Sequence, residues 1–146
     1  MVLKLALRWG LIAVVVALVG IQFVPYGRAH ANPPVRTEPT WDSPRTRELA
    51  VRTCFACHSN QVEWPWYSNV APVSWLVQRD VEQGRRKVNF SEFDRPQRDA
   101  QGAADQVQKG AMPQPYYVAL HPEANLNPDE REALIEGLQL TFGGKR

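Results

Sequence analysis

Only two cysteines, two methionines and three histidines occur in 146 residues, and each scarcity excludes something. The cysteines stand three positions apart, so a disulfide between them would close too small a loop to stabilise much. With one neighbouring histidine they offer at most three ligands, one short of a structural zinc site. No run alternates apolar and polar residues as a half-buried strand does, and a thioredoxin-like redox pair needs a βαβ surround that is missing here. There is no repeat and no low-complexity tract. Charge is nearly balanced, with 17 Lys and Arg against 15 Asp and Glu, which gives no basic footprint for nucleic acid. Met1 is the initiator, so Met112 is not one member of a methionine-rich core.

Both cysteines fall within Cys54-Phe55-Ala56-Cys57-His58. Cys-x-x-Cys-His is the attachment signature of a c-type haem. Two thiols on one helical turn can each form a thioether to a haem vinyl group, and the adjacent imidazole is then presented to the iron as its proximal ligand. The redox-pair, zinc and disulfide readings each leave part of the motif unexplained. The expected cofactor is therefore one haem c, covalent through Cys54 and Cys57, with His58 on the iron.

The N-terminus carries Lys4 and Arg8, then an uncharged run from Trp9 to Val24. Basic residues ahead of such a run place the N-terminus in the cytoplasm and the following chain outside. The run is 16 residues, slightly short of the about 20 that a spanning helix uses. Leu3–Leu7 make up the difference if Lys4 and Arg8 snorkel to the headgroups. Ala29-His30-Ala31 also fits a signal-peptide cleavage site. The apolar run is long for that reading and Arg28 lies beside the site, so an uncleaved inner-membrane anchor is expected, with a soluble periplasmic form after cleavage near Ala31 as the alternative. Beyond residue 31 remain 115 residues holding 14 basic and 15 acidic side chains, enough for one small domain. The expected organisation is an anchor at 1–27, a proline-rich extended tether at 28–42, and a haem-binding domain at 43–146.

The scaffold reads as all-α. Ser43-Pro44 is a cap followed by a first-turn proline, opening a helix through Leu49, Ala50 and Thr53 into the motif. A second helix is expected from about Pro72 to Gly84, carrying Trp75, Leu76 and Val81. A weaker one, Pro96 to Lys109, has only Ala100, Ala103, Ala104 and Val107 to pack with, and so should pack lightly. The last is capped by Asn127, opened by Pro128 and completed by Glu130. It should bury Leu134, Ile135 and Leu138 and end at Gly143-Gly144.

Between the motif and the second helix lie Trp64, Trp66 and Tyr67, with Trp75 on the first turn of that helix. This aromatic density suits the edge of a haem, where indole or phenol donors could bond a propionate. Arg85, Arg86 and Lys87 follow the expected helix end at Gly84. They either complement its dipole, or Arg85 or Arg86 pairs with a propionate.

The stretches Cys54–Asn60, Trp64-Pro65-Trp66-Tyr67, Ala71–Trp75, Asp80–Arg85, Asn89–Glu92, Met112-Pro113 and Leu120-His121-Pro122 occur in order across most of residues 33–140. In them the chain resembles the bacterial haem-binding domain family, small exported c-type haem domains usually carrying an N-terminal anchor. The resemblance implies haem binding and export but no defined reaction or partner. Gln114-Pro115-Tyr116-Tyr117 departs from it, because a second proline is expected directly after Pro113.

The sixth iron ligand separates a carrier from a catalyst. Met112, in a loop 54 residues after His58 and followed by Pro113, occupies the position where cytochromes c place a methionine; its soft thioether favours ferrous iron and raises the potential. His121 is the rival, giving a bis-histidine haem of lower potential, and His30, in the tether, is a third. The expected fold is thus an all-α, cytochrome c-like domain around one covalent haem, preceded by a single transmembrane helix. The expected function is a membrane-tethered periplasmic mono-haem cytochrome, an electron carrier rather than an enzyme, exchanging electrons with redox partner proteins at the membrane face. The alternative is an open-coordination haem protein, peroxidase-like or a redox or gas sensor, with His121 and Arg85 recruited to the vacant side.

Overall fold

The computed structural model describes residues 2–143, and among these there are helices and no strands. In chain order the α-helices are α1 (Val2–Gly20), α2 (Pro44–Thr53), α3 (Phe55–His58), α4 (Val73–Lys87), α5 (Ala103–Gln108), α6 (Pro115–Leu120) and α7 (Pro128–Phe142). Short 3₁₀ turns lie at Ile21–Phe23, Trp66–Asn69, Ala100–Gly102 and Pro122–Ala124. The fold is all-helical with an apolar N-terminal helix long enough to cross a membrane, as expected. The chain forms two compact units. One takes the chain up to His30 together with Trp64–Asp80; the other takes Ala31–Glu63 and the chain from Val81 onward.

In the first unit α1 buries none of its residues, as its uniformly apolar surface dictates. Its continuation is tied to the segment before α4. The Gln22 side-chain amide donates to the Ala71 carbonyl at 2.9 Å and accepts from the Ala71 N–H at 3.1 Å. Gly27, at φ +84°, passes so close to the Ser74 carbonyl that a Cβ would collide with it; glycine alone meets both demands. His30 follows at φ +45°, with Nε2 3.1 Å from the Ser68 carbonyl and its ring stacked on Trp64 at 4.6 Å.

The second unit is built on α2, α5 and α7. Ser43 caps α2 by accepting from the Thr46 N–H, and α2 buries Leu49 and Ala50. Helix α7 has the expected capping box, Asn127 with Glu130. Glu130 also lies 2.7 Å from Arg52, linking the start of α7 to α2. Thr46 occupies the space that a Cβ on Gly137 would need, so α2 and α7 approach at a position only glycine permits. Leu49, Phe55, Phe90, Val107, Leu134 and Leu138 join the three alanines and Val88 in one core. Trp41, Phe55, Phe90, Phe93 and Phe142 form a connected set of rings.

Several expectations need correction. Helix α4 does not end at Gly84 but runs on to Lys87, because Gly84 serves a close approach rather than a stop. The span expected to be a helix from Pro96 to Lys109 is helical only from Ala100. It does not pack lightly: Ala100, Ala104 and Val107 are core residues against α7, since small side chains let helices come close. Ile135 is only half-buried. The expected loop after Met112-Pro113 contains α6, opened by Pro115 at its first position. The tether is extended but not free. Thr37 bridges to Glu92, its carbonyl accepts from Phe93 N–H at 2.8 Å, and Trp41 enters the ring cluster. Helix α7 closes at Gly143, whose N–H donates to Gln139; the expected partner Gly144 lies outside the described residues.

Candidate functional site

The motif sits at a break between helices. Cys54 ends α2 and starts the single turn α3, which carries Phe55, Ala56, Cys57 and His58. The N–H groups of Cys57 and His58 both donate to the Cys54 carbonyl, at 3.1 and 2.9 Å, so both thiols and the imidazole emerge from one tightly wound turn. Phe55 points the other way, into the core. Phe55 fixes the turn while Cys54, Cys57 and His58 remain half-buried.

His58 is held firmly. Its Nδ1 lies 2.9 Å from the Val88 carbonyl. A carbonyl only accepts, so Nδ1 carries the proton and the neutral ring keeps its lone pair on Nε2, the tautomer a metal ligand needs. Burial pushes the His58 pKa below its ordinary value, with the Val88 and Gly84 carbonyls opposing; the imidazole is neutral and able to ligate at neutral pH. Its own carbonyl accepts from the Phe90 N–H at 2.7 Å, so residues 88–90 grip His58 at both ring and backbone.

That grip has a polar frame. Asn89 donates to Asn60 Oδ1 at 2.9 Å and accepts from Ser91 N–H at 3.0 Å, and the Ser91 hydroxyl accepts from Asn60 N–H at 2.9 Å. All three residues are buried, where each lost partner costs about 1–3 kcal/mol. Gly84 completes the frame: a Cβ there would run into the Cys57 carbonyl, so α4 lies directly against the motif. The sequence offered no spacing rule for Asn60, Gly84, Val88 or Asn89. The visible signals were that Asn89 and Ser91 flank Phe90 and that Asn60, Gly84, Asn89 and Ser91 lie in the stretches carrying the family resemblance.

Burial pushes the Cys54 thiol up to about 11, with the Thr53 hydroxyl opposing. A disulfide-exchange nucleophile is favoured by the opposite shift. Among the described residues no group of three or more His, Cys, Asp or Glu side chains is arranged to hold a metal ion. Two thiols and a lone-pair-bearing imidazole on one turn fit a haem.

The other expected site residues divide. Arg85 belongs to the second unit, and its guanidinium donates to the Ser59 and Ala31 carbonyls and to Asn32 Oδ1, at 2.8, 2.9 and 3.0 Å. These bonds pin the entry of the chain into this unit. Trp64, Trp66, Tyr67 and Trp75 belong to the first unit. The Trp64 and Trp75 indole N–H groups are buried without a hydrogen-bond partner, an unusual state that an acceptor such as a carboxylate would relieve. Trp66 is 78 % exposed and meets Tyr67 edge-on. Met112 is half-buried, its N–H bonded to the Gln106 carbonyl at 3.1 Å. His121, at the end of α6, is stacked on Tyr117 at 4.2 Å with Nδ1 2.9 Å from Glu123. An open groove between α5 and α7, lined by Gln108, Leu126, Arg131 and Ile135, includes none of the motif residues.

A protein-family model described as a haem-binding domain matches residues 16–140. No curated protein matches the chain. No solved structure matches it either. The family match covers most of the chain, including both units and the turn that carries Cys54, Cys57 and His58, and the chain belongs to the haem-binding domain family.

Proposed function

We propose that the protein is a membrane-tethered electron carrier holding one haem c, covalent through Cys54 and Cys57, with His58 Nε2 and the Met112 thioether as the axial ligands. The observation that carries this reading is the single turn presenting both thiols beside an imidazole whose Nδ1 is committed to Val88. The haem supplies reversible one-electron chemistry; the chain sets its potential and exposure. Met112 is favoured over His121 on its place directly before Pro113, 54 residues after His58; the His121 Nδ1–Glu123 bond leaves Nε2 open, so His121 is the rival ligand. Electrons would pass to and from redox partner proteins on the outer face of the membrane.

The leader is read as a retained anchor. Cleavage near Ala31 would remove Gln22, Gly27 and His30, which hold Ala71, Ser74 and Trp64 in the first unit. The family match, starting at residue 16, also takes in this segment. Covalent haem attachment is completed outside the cytoplasm, so on this reading the domain would lie in the periplasm.

The test is a mass measurement on chain matured with c-type assembly factors and recovered from membranes. A denatured chain still heavier by one haem, and beginning upstream of Gln22, supports both parts. Haem extracted by acidified organic solvent would overturn covalent attachment, and a chain starting after Ala31 would overturn the anchor. The His121–Glu123 pair is the one feature that favours an open, peroxidase-like or sensing site. Peroxide turnover lost in His121→Ala would support that reading instead.

A further inference from the structure

Resting on the retained-anchor reading, we infer that Trp66, Val70 and Val73 form with Phe23 an apolar collar that lies on the lipid surface where the N-terminal helix leaves the bilayer. The hydrocarbon core is about 30 Å thick, which about 20 helical residues cross. Helix α1 with its following 3₁₀ turn runs from Val2 to Phe23, so Gln22 and Phe23 come to the outer boundary of that core. Gln22 holds both backbone groups of Ala71 in a reciprocal pair of hydrogen bonds. The Val70–Val73 corner is therefore at the same depth as the helix end, within one side chain's reach of it.

Two properties of this corner suit a lipid boundary. The first is exposure: Phe23 is 83 % exposed, Trp66 78 %, Val70 44 % and Val73 39 %. That is a concentration of large apolar side chains around one junction, and such patches mark contact surfaces. The second is hydrogen bonding. Near hydrocarbon a free backbone N–H or C=O is costly, and here Gln22 satisfies both Ala71 groups while its amide also reaches the Leu18 carbonyl at 3.0 Å. Trp66 has the amphipathic ring that membrane interfaces favour. This gives it a role apart from the haem contact expected in the sequence. The collar would hold residues 64–80 against the bilayer at a fixed depth instead of leaving them on a swinging leash.

The experiment uses the full haem-loaded chain in vesicles of phosphatidylethanolamine and phosphatidylglycerol. Cys54 and Cys57 are the only native cysteines and are consumed by the haem, so the unsubstituted chain takes up no thiol label. Nitroxide is placed singly through Trp66→Cys, Val70→Cys, Phe23→Cys and, as an aqueous reference, the exposed Gln139→Cys. The visible spectrum shows that each variant is folded and loaded; if Trp66→Cys fails to load, Asn69→Cys on the same turn replaces it. The ratio of collisions with oxygen to collisions with a water-soluble nickel chelate should be several-fold higher at positions 23, 66 and 70 than at 139. A high ratio at 23 with a water-like ratio at 66 and 70 overturns the collar and leaves the anchor standing. Water-like ratios at all three overturn the collar together with the anchor. Low collision with both reagents at 66 and 70 means protein covers them, a second copy being the candidate, and also overturns the collar.

Discussion

The two residues assigned to the iron stand on opposite kinds of backbone. His58 is fixed on every side: its N–H bonds Cys54, its carbonyl bonds Phe90, its ring bonds Val88, and the Asn60–Asn89–Ser91 frame locks the strip that holds it. Met112 follows the short helix α5 and precedes α6, which buries none of its residues. The proposed proximal residue is thus built into the core, while the residue proposed for the other side is carried by a segment with little apolar burial to hold it. Local stability tracks such burial. On the proposed ligation, such a domain would hold haem firmly on the His58 face and leave the opposite ligand free to be tuned or exchanged without unfolding.

The most severe way to break the comparison is to remove the thiols. Cys54→Ala with Cys57→Ala should abolish covalently held haem altogether, read as loss of haem staining on a denaturing gel. Next come the two sides compared directly by denaturant unfolding of the holoprotein. Leu49→Ala, beneath the motif and fully buried, should cost about 2–5 kcal/mol. Asn89→Ala, which strands Asn60 and Ser91, should cost about 1–3 kcal/mol. Leu120→Ala on α6, 61 % exposed, should stay within about 0.5 kcal/mol. Equal losses at Asn89 and Leu120 would erase the difference between the two sides.

Met112→Ala sharpens the contrast without touching the core. It should leave stability nearly unchanged, let ferrous iron bind carbon monoxide and lower the potential, the direction expected when a thioether is lost. The smallest effect concerns the strip that carries Trp41 into the ring cluster. Arg47, and next the Trp41 indole, hold the Glu38 carboxyl below its ordinary value, against burial. A carboxylate depressed in the fold contributes stability above its unfolded pKa of about 4.5, lost as pH falls through the lower folded value. Glu38→Gln should therefore lower stability slightly at neutral pH, leave it little altered below the folded pKa, and so flatten the acid limb of the stability–pH curve.

Much of the scaffold was legible because its signals are local. Ser43-Pro44 and Asn127-Pro128 with Glu130 set helix starts by backbone chemistry alone, and both stand where expected. The motif likewise declares its ligands by spacing. What the sequence hid depends on distant approach. Gly84 reads as a helix stop until Cys57 is seen against it, and Gly137 reads as a weak point until Thr46 fills its place. Arg85 carries charge suited to a propionate, and nothing local shows that three of its five N–H donors bond Ser59, Ala31 and Asn32. The Pro-rich strip looks like a linker because nothing local shows Thr37 meeting Glu92. Ala100, Ala104 and Val107 look too small to pack, although small residues are what a close helix crossing requires.

The most direct test of the central claim is optical. The matured chain is recorded ferric, ferrous, and ferrous under carbon monoxide. With His58 and Met112 on the iron, both spectra are low-spin, carbon monoxide changes nothing, and ferric protein shows the weak far-red band of a sulfur ligand. A high-spin spectrum that takes up carbon monoxide at once would contradict it, leaving His58 alone on the iron and the electron-carrier reading without its sixth ligand.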